Sequence, residues 1–376
     1  MKVLVTGGAG FIGSHTVDLL LRKGYEVRIL DSLAPPVHPQ RKKPSYIPKE
    51  AEFILGDVRN KDVIGKSLKG ISVVFHLAAQ QGYLTDFSTF AFTNDGGTAL
   101  IYEVIVENKL PIEKIVIASS QAVYGEGKYY CTKHGIQYPL LRALKLLERG
   151  EWELKCPLCQ EVMQSRLTDE AKVNPHNQYA VSKYSQELYA LTLGLRWGIP
   201  TVALRYSITQ GARQSFYNAY SGILRIFAVR LLNDLPPIVY EDGKQLRDYV
   251  YVGDVARANL LVMESHNSNY EVYNAGGTEV VSVADYARLI MQVMAKDIDF
   301  QIPGQFRFGD TRHIVSDISK LRKLGWEPKI TLNQVVREYL DWAREQPEVS
   351  DHYGEAERML KKEGVIREVG ERMLKR

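Results

Sequence analysis

A tyrosine and a lysine four positions apart, Tyr179 and Lys183, are the side chains of this sequence best suited to chemistry on a hydroxyl group. In a helix this spacing places both residues on one face. An ammonium group beside a phenol stabilises the phenolate, so the tyrosine can act as a base near neutral pH. Such pairs also arise by chance on solvated helices, so the interpretation depends on the segments that would position this one.

A glycine-rich segment near the first residue predicts a binding site for a dinucleotide. Three glycines at three-residue spacing follow the apolar run 2–6 and precede a helical pattern at 14–23. Glycine allows the tight turn and the close approach of a pyrophosphate, which the amides at the helix N-terminus can bind. The residues predicted to form this loop are Gly7, Gly10, Phe11, Ile12 and Gly13.

An acidic residue, Asp31, ends the second predicted strand at 26–30. A carboxylate there accepts hydrogen bonds from ribose hydroxyls and repels a 2′-phosphate, so NAD is favoured over NADP. Asp57 is expected to contact the adenine ring, and the alternative is a position near the N-cap of the next helix. His76 is expected to be buried in the core and not to act as a catalyst. Further cofactor contacts are predicted after the next two strands, at Val58, Leu77, Ala78 and Ala79.

Strands and helices alternate along the first 210 residues. Strand patterns occur at 2–6, 26–30, 52–55, 73–76, 114–118 and 201–205, and helical patterns at 14–23, 60–68, 96–108 and 178–197. This alternation predicts an α/β fold with a doubly wound, parallel Rossmann sheet. We therefore expect a dinucleotide-binding domain at 1–210, interrupted by an insertion at 127–167.

The pattern after residue 210 predicts a smaller mixed α/β substrate domain at 211–345, with segments interleaved with the first domain. Its helices are predicted at 220–233, 254–265, 283–295 and 332–345, and a short strand at 238–240. The charged tail 346–376 predicts one amphipathic helix from Gly354 onward. We expect this helix to be a solvated surface element, with an oligomer contact as the alternative.

Two serines, Ser119 and Ser120, follow the strand pattern at 114–118. They would lie at the carboxyl end of a strand, where ligands bind in parallel sheets. A serine hydroxyl there can hydrogen-bond a substrate hydroxyl and help to pass its proton to a tyrosine. The alternative for either serine is a capping role at the end of the strand.

Taken in order, these motifs resemble the nucleotide-sugar epimerase/dehydratase branch of the extended short-chain dehydrogenase/reductase family. The resemblance covers residues 1–127 and 168–345, and it also includes Asn94 with Gly97-Thr98, Val123-Tyr124-Gly125 and Arg247-Asp248-Tyr249-Val250. It implies an NAD-binding Rossmann domain, a smaller domain for a nucleotide-sugar substrate, and a homodimer formed through helices that flank the site.

The resemblance also implies a role for individual residues. Tyr179 would be the base, and Lys183 would bind the nicotinamide ribose and lower the pKa of the tyrosine. Ser120, five residues before Gly125, would be the catalytic serine in preference to Ser119. The remaining cofactor contacts that the resemblance implies are Asn94, Ser119 and Tyr206, and Tyr179 itself would also contact the cofactor.

Substrate contacts follow from the same resemblance. Arg247 and Arg307 match arginines that bind the nucleotide pyrophosphate, a task that suits the forked guanidinium, although each could be a surface salt-bridge partner. Arg213 lies in Gly-Ala-Arg-Gln, similar to the Gly-Pro-Arg-Gln of sugar-nucleotide 4-epimerases. Ile208 stands where the family usually has asparagine, so substrate placement is expected to differ from that of the common UDP-glucose enzymes.

The residues after Ser120 narrow the reaction. Gln121, a further predicted substrate contact, and Ala122 stand where 4,6-dehydratases carry an Asp-Glu pair, and neither can transfer a proton. Ala122 also disfavours a decarboxylase. NAD-dependent epimerisation remains, at C4 through a transient 4-keto intermediate of dTDP-L-rhamnose or another dTDP- or UDP-hexose. The alternatives are an NDP-4-keto-6-deoxysugar reductase and a non-catalytic NAD-sensing protein.

All three cysteines lie in the insertion, where Cys131 and His134 form one Cys-x-x-His and Cys156 and Cys159 one Cys-x-x-Cys. Four such ligands suffice for a closed tetrahedral zinc site without a position for water, so the predicted zinc is structural. It would hold together a segment with little core of its own. The alternative is free cysteines with a surface histidine. The insertion resembles that of a bacterial subgroup of NDP-sugar epimerases that supply deoxysugars for cell-surface polysaccharides.

Composition excludes several classes of protein. The 376 residues are 45% hydrophobic and 24% charged, as in ordinary globular proteins. The net charge of +4 is small, and the zinc motif lacks a basic-aromatic patch, so neither nucleic acid nor a membrane surface is an expected partner. Because we find neither an apolar run of roughly 18 residues nor a signal-peptide pattern, we expect a cytoplasmic location.

Overall fold

The computed structural model of the protein describes residues 1–83, 85–218, 222–346 and 349–370. The strands in chain order are β1 (Lys2–Thr6), β2 (Glu26–Asp31), β3 (Glu52–Leu55), β4 (Val73–His76), β5 (Lys114–Ser120), β6 (Tyr129–Cys131), β7 (Gly135–Gln137), β8 (Gln164–Ser165), β9 (Thr201–Tyr206), β10 (Ile208–Gln210), β11 (Leu246–Tyr251), β12 (Val272–Ala275), β13 (Val280–Ser282), β14 (Gln305–Arg307) and β15 (Ile366–Glu368). Seven of them form a parallel sheet in the order β12-β9-β5-β4-β1-β2-β3. The predicted doubly wound Rossmann sheet is therefore confirmed.

The α-helices are α1 (Phe11–Arg22), α2 (Lys61–Leu68), α3 (Phe87–Phe90), α4 (Gly97–Glu107), α5 (Leu144–Leu147), α6 (Gln178–Trp197), α7 (Ile223–Leu232), α8 (Val252–Glu264), α9 (Val283–Met294), α10 (Ser319–Lys323), α11 (Leu332–Arg344) and α12 (Tyr353–Lys362). Helices α1 and α8 cover one face of the large sheet, and α2, α4 and α6 cover the other. Alternate residues of β1 point to opposite faces, so Val3 and Val5 join the core beside α1 and α8, whereas Leu4 joins the core beside α4 and α6.

The second lobe is built around the three-stranded sheet β10-β11-β13 and the helices α7, α9 and α11. Its core includes Tyr249 stacked on Tyr286, with ring centroids 4.3 Å apart. Strand β12 comes from this half of the sequence but pairs with β9 in the large sheet. The expected strand at 238–240 is reduced to one bridge between Ile238 and Gln301. Helix α7 begins at Ile223, and residues 219–221 lie outside the described part.

The insertion forms a small unit of its own. Its three strands form a sheet in the order β7-β6-β8. The buried residues of its core are Tyr129, Cys131, Leu154, Cys156 and Met163. Such a core is too small to hold a segment of this length by apolar burial alone.

The tail differs from the expected single solvated helix. Helix α12 ends at Lys362, and β15 then pairs antiparallel with β14. Tyr353, Leu360 and Ile366 are buried, because the apolar face of α12 packs onto the second lobe instead of facing water. Residues 371–376 lie outside the described part.

Candidate active site

One cleft of about 380 Å³ lies between the carboxyl edge of the large sheet and the second lobe. Predicted site residues that line it are Phe11, Ile12, Ser119, Ser120, Gln121, Tyr179, Tyr206, Arg247 and Arg307. Residues from the glycine loop, from the end of β5, from α6 and from the second lobe thus meet around one space. The cleft can therefore hold one ligand against the glycine loop and a second against the residues of the second lobe.

The glycine loop has the shape that a dinucleotide needs. Gly7 has φ +70°, and a Cβ there would lie 2.7 Å from the amide nitrogen of Ala78. A Cβ on Gly13 would lie 2.1 Å from the carbonyl oxygen of Gly7. Gly10 precedes α1 and has no side chain to cap it, so the first amides of the helix remain available to an anion. The residues present therefore fit a pyrophosphate at this helix N-terminus.

Asp31 lies beside this loop at the end of β2. Its carboxylate accepts hydrogen bonds from the amides of Ala9 and Leu33, both at 2.9 Å. Backbone donors thus hold the carboxylate at the edge of the crevice, where the sequence predicts a ribose contact. Asp57 forms an ion pair with Arg59 at 2.6 Å, and this hydrogen-bonded arginine lowers the pKa of the Asp57 carboxyl.

Three other predicted cofactor residues, Asn94, Tyr206 and Val58, have hydrogen-bond or packing partners within the protein. Asn94, in a π-helical segment before α4, donates to the hydroxyl of Ser182 at 2.8 Å and accepts from the amide of Gln80 at 2.8 Å. Tyr206 lines the cleft with its ring, while its hydroxyl donates to Asn259 at 2.6 Å. Val58 is buried under Gly97, where a Cβ would lie 2.9 Å from its side chain.

The two serines at the end of β5 have different partners. Ser119 donates to the Glu187 carboxylate at 2.8 Å, and that carboxylate also pairs with Arg205. Ser120 instead hydrogen-bonds Tyr179, and its hydroxyl accepts from the amide of Ala122 at 3.2 Å. The structure therefore brings together Ser120 and Tyr179, the pair expected to carry the chemistry.

The titration of Tyr179 differs from the expectation. Burial raises the pKa of its phenol, and the hydrogen bond with Ser120 opposes this rise. Lys183 was expected to lower that pKa, but its ammonium donates to the side-chain oxygen of Gln186 at 2.5 Å, and burial lowers the pKa of Lys183 to about 7. In this structure the pKa of the Tyr179 phenol is therefore set by its burial and by its hydrogen bond with Ser120.

A buried hydrogen-bond chain supports the lysine from behind. Gln186 donates to Thr98 at 3.0 Å, Thr98 lies 3.1 Å from His76, and His76 lies 2.8 Å from the hydroxyl of Thr6. Burial lowers the pKa of His76 to about 3. His76 is therefore a neutral, packed histidine, as predicted. Leu77, Ala78 and Ala79 follow it and border the glycine loop.

The two arginines expected at the pyrophosphate both line the cleft. Arg247 donates to the carbonyl oxygens of Thr311 at 2.5 Å and Arg312 at 2.8 Å. Arg307 has its guanidinium 5.2 Å from the ring centroid of Tyr83 and 5.1 Å from that of Tyr240. Neither is an exposed surface arginine, so the alternative of a surface salt bridge does not hold.

Arg213 lies elsewhere. It pairs with Asp18 of α1 at 2.8 Å, and its guanidinium lies 4.9 Å from the ring centroid of Tyr46. The segment 211–214 folds against α1, where the carbonyl of Ala212 also meets His15 at 3.0 Å. Arg213 is not among the residues that line the cleft, whereas the neighbouring Gln214 is, and the substrate contact of Arg213 remains a prediction.

Several cleft residues were missed from the sequence. Tyr83 donates to Asp310 at 2.9 Å, and both line the cleft together with Thr311 and Tyr353. Asp310 and Thr311 directly follow the predicted motif at Arg307, which was the available signal. Tyr83 lies in a loop segment, and Tyr353 begins the helix α12 of the charged tail, so nothing in the sequence marks either of them as a cleft residue.

The four candidate metal ligands converge in the insertion. The side-chain donor atoms of Cys131, His134, Cys156 and Cys159 all lie within 4.8 Å of one another. The Cys131 sulfur lies 3.6 Å from that of Cys159 and 3.6 Å from Nδ1 of His134. These separations match the edges of a tetrahedron around an ion with bonds of about 2.0–2.3 Å. The donor set therefore fits zinc.

A parallel sheet with a glycine loop at its crevice, and a serine-tyrosine pair facing that crevice, define a dinucleotide-dependent enzyme that acts on a hydroxyl group. The chain belongs to the NAD dependent epimerase/dehydratase family, whose model matches residues 3–140 and 156–276. The expected family is thereby confirmed.

Individual relatives agree with this assignment. The chain is 32% identical over 352 residues to the dTDP-L-rhamnose 4-epimerase of Burkholderia thailandensis, covering 92% of this chain and 95% of the relative. The UDP-glucose 4-epimerase of Thermotoga maritima with UDP-glucose superposes with a TM-score of 0.75 at 29% identity, covering 93% of this chain and 100% of that one. The UDP-glucuronic acid 4-epimerase of Bacillus cereus with UDP-glucuronic acid and NAD gives 0.74 at 26%, covering 91% and 98%.

None of the helices in the described ranges is both long enough and apolar enough to cross a bilayer.

Proposed function

We propose that this protein is an NAD-dependent 4-epimerase of a nucleotide sugar, dTDP-L-rhamnose or another dTDP- or UDP-hexose. The observation that carries the proposal is the Ser120–Tyr179 pair, which faces the cleft that also contains the glycine loop and two arginines. The relative from Burkholderia thailandensis supports the deoxysugar, and the two solved neighbours support a nucleotide sugar.

The reaction needs a group that takes a proton from a sugar hydroxyl and later returns one. Tyr179 is that group, and Ser120 holds the sugar hydroxyl against it. Bound NAD supplies acceptance and return of a hydride. Between the two steps the keto sugar must turn about its nucleotide linkage, so that hydride would return to the opposite face of C4 while Tyr179 returns the proton to the C4 oxygen.

The residues after Ser120 support epimerisation over elimination of water. Gln121 lines the cleft and is buried, whereas Ala122 has no polar group. Neither can act as an acid or a base, so these two positions cannot supply the proton transfers that loss of water across C5 and C6 requires. Reduction back to an alcohol is therefore the favoured fate of a sugar oxidised at C4.

Arg247 and Arg307 bind the pyrophosphate of the substrate under this proposal. Arg247 is held by two carbonyl oxygens, and Arg307 lies against the rings of two tyrosines. Each side chain therefore loses less conformational entropy when the pyrophosphate binds. In domain terms, residues 1–210 bind NAD and residues 211–345 bind the sugar nucleotide. Tyr353 extends the second part into the tail.

Zinc held by the three cysteines and His134 is part of the proposal, in a purely structural role.

A homodimer is proposed as well. Val181, Leu188 and Leu195 recur every seven residues along α6 and are 53%, 49% and 69% exposed, which forms an apolar stripe suited to a second copy. We expect light scattering to give a dimer for the wild type and a monomer for Leu188→Glu, with Val280→Glu as a surface control. The expected location of the enzyme is the cytoplasm.

The decisive experiment uses the purified protein without added cofactor. We expect NAD to be released on denaturation, and dTDP- and UDP-hexoses to interconvert with their C4 epimers in NMR spectra. Product that forms only with stoichiometric NADPH would indicate a keto-sugar reductase instead. Bound NAD without turnover of any sugar nucleotide would favour the non-catalytic, NAD-sensing alternative, whereas absence of both NAD and turnover would contradict the proposal.

A further inference from the structure

A group of charged side chains, all buried except Glu153 at its edge, joins the insertion to the wall of the cleft. We call it the Arg142 cluster, and its members are Glu126, Arg142, Glu153, Glu241 and Arg312. Arg142 and Glu153 belong to the insertion, whereas Glu241 and Arg312 belong to the second lobe. Arg312 and Glu126 are 0% exposed, so the cluster is a built feature of the interior.

Arg142 reaches from the insertion to three partners. Its Nε donates to Glu126 at 3.1 Å, and its Nη2 donates to Glu241 at 2.8 Å. The same Nη2 donates to the carbonyl oxygen of Asp310 at 2.8 Å. Because Asp310 lines the cleft, a side chain of the insertion holds the backbone of a cleft residue from behind.

Arg312 completes the cluster from the other side. Its guanidinium donates to Glu241 at 2.9 Å and to Glu153 of the insertion at 2.6 Å. Its backbone amide donates to Glu126 at 2.7 Å. Glu153 also lies 3.1 Å from Nε2 of His313. Charges this deeply buried are stable only with their partners in place, so the geometry of the segment 310–313 depends on the insertion.

The opposite side of the same segment holds Arg247. The guanidinium of Arg247 donates to the carbonyl oxygens of Thr311 and Arg312, at 2.5 and 2.8 Å. These peptide groups thus have the Arg142 cluster on one side and a cleft arginine on the other. A shift of the segment away from the insertion would move Arg247 with it.

We propose that Arg142 and Glu153 are positioning residues for the nucleotide-sugar site, acting through the segment 310–313 on Arg247. The insertion therefore sets the affinity for the nucleotide part of the substrate, while the Ser120–Tyr179 pair and the glycine loop work independently of it. This inference rests on the proposed function, because it takes Arg247 as a contact to the nucleotide diphosphate.

The test compares Arg142→Met, Arg142→Lys, Glu153→Gln and the control Lys145→Met, which changes an exposed lysine of the same insertion. The probes are UDP and dTDP, measured by titration calorimetry, with NAD content and kcat and KM for the sugar nucleotide measured in parallel. We expect Arg142→Met to weaken binding of the preferred nucleotide about tenfold, within the usual range of coupling between sites. KM should rise to a similar extent at unchanged kcat and NAD content, and Arg142→Lys should recover part of the loss.

The measured Kd, KM and kcat values distinguish failure of this inference from failure of the epimerase proposal. Equal Kd values in wild type, Arg142→Met and Glu153→Gln would overturn the inference while leaving the epimerase proposal intact. A wild type that binds neither nucleotide would overturn the epimerase proposal, and this inference with it. If Arg142→Met does not fold, Glu153→Gln decides, because Glu153 lies at the edge of the cluster with its side chain 39% exposed. A fall in kcat at unchanged KM would also contradict the proposed role.

Discussion

Ser119 donates its hydroxyl hydrogen to Glu187 across 2.8 Å, so it is bound to the buried ion pair of Glu187 with Arg205. The neighbouring Ser120 is left as the serine whose hydroxyl meets Tyr179. Both serines line the cleft, but they have different partners, a buried carboxylate for Ser119 and the candidate base for Ser120. The distinction follows from strand geometry, because successive side chains point to opposite faces.

Substitution of the two serines should separate their roles. We expect Ser120→Ala to lower kcat about 10²-fold, comparable to the loss of one aligned donor in an active site. Ser119→Ala should leave kcat nearly unchanged but lower the free energy of unfolding by about 1–3 kcal/mol, because a buried carboxylate loses a donor. Steady-state kinetics and urea unfolding measure the two effects. A larger loss of kcat in Ser119→Ala would reverse the assignment.

Replacement of Tyr179 should abolish turnover without loss of the cofactor. We expect Tyr179→Phe to lower kcat about 10²–10⁴-fold, the usual contribution of general acid-base catalysis. NAD content after purification should stay the same, since the phenol oxygen is not needed for the glycine loop. Tyr184→Phe, on the same helix, serves as the control. Appreciable activity in Tyr179→Phe would falsify the assignment of the base.

Removal of one metal ligand should affect the insertion first. We expect the wild type to contain one zinc per chain by elemental analysis, and Cys131→Ser to have lost it. The melting temperature of the variant should fall by about 5 °C or more, which corresponds to about 2 kcal/mol for a domain of this size. Thr132→Ser, beside the ligand, is the matched control. A wild type free of zinc and of any other metal would contradict the structural metal site.

A buried acid predicts a pH dependence of stability. Burial raises the pKa of Asp248 to about 7, well above that of an unfolded aspartate. Between about pH 4 and 7 the folded state therefore keeps a proton that the unfolded chain has lost, so stability falls as pH rises through this window. We expect Asp248→Asn to be about 2 kcal/mol more stable than wild type at pH 8. This advantage should shrink towards pH 5.

Urea unfolding from pH 5 to 8 measures this effect, with the exposed Asp341→Asn as the control. The same difference between Asp248→Asn and wild type at both ends of the range would show that the acid does not titrate as its burial requires.

Much of the fold was predictable because local patterns and tertiary packing agree. Helix α6 begins and ends as predicted, at Gln178 and Trp197, since Asn177 caps its first amides and Gly198 with φ 67° ends it. The glycine loop was equally clear, because the crowding around Gly7 and Gly13 leaves no room for another residue type. Both features are encoded within a few residues of sequence.

The differences arose where distant contacts decide. Nothing near Arg213 in sequence reveals its contacts with Asp18 and Tyr46. The tail looked solvated because its charges dominate its composition, yet Tyr353 and Leu360 are buried against the second lobe. Similarly, burial outweighs the neighbouring lysine in its effect on the Tyr179 phenol, and burial cannot be read from a spacing of four residues.

The pairing of β15 with β14, and the place of Tyr353 in the cleft wall, have a consequence for shortened variants of the protein. Removal of the residues from 353 onward would take away the partner of β14 and one wall residue of the cleft, but no residue of the glycine loop or of the large sheet. Such a variant is expected to retain NAD and to bind the sugar nucleotide more weakly.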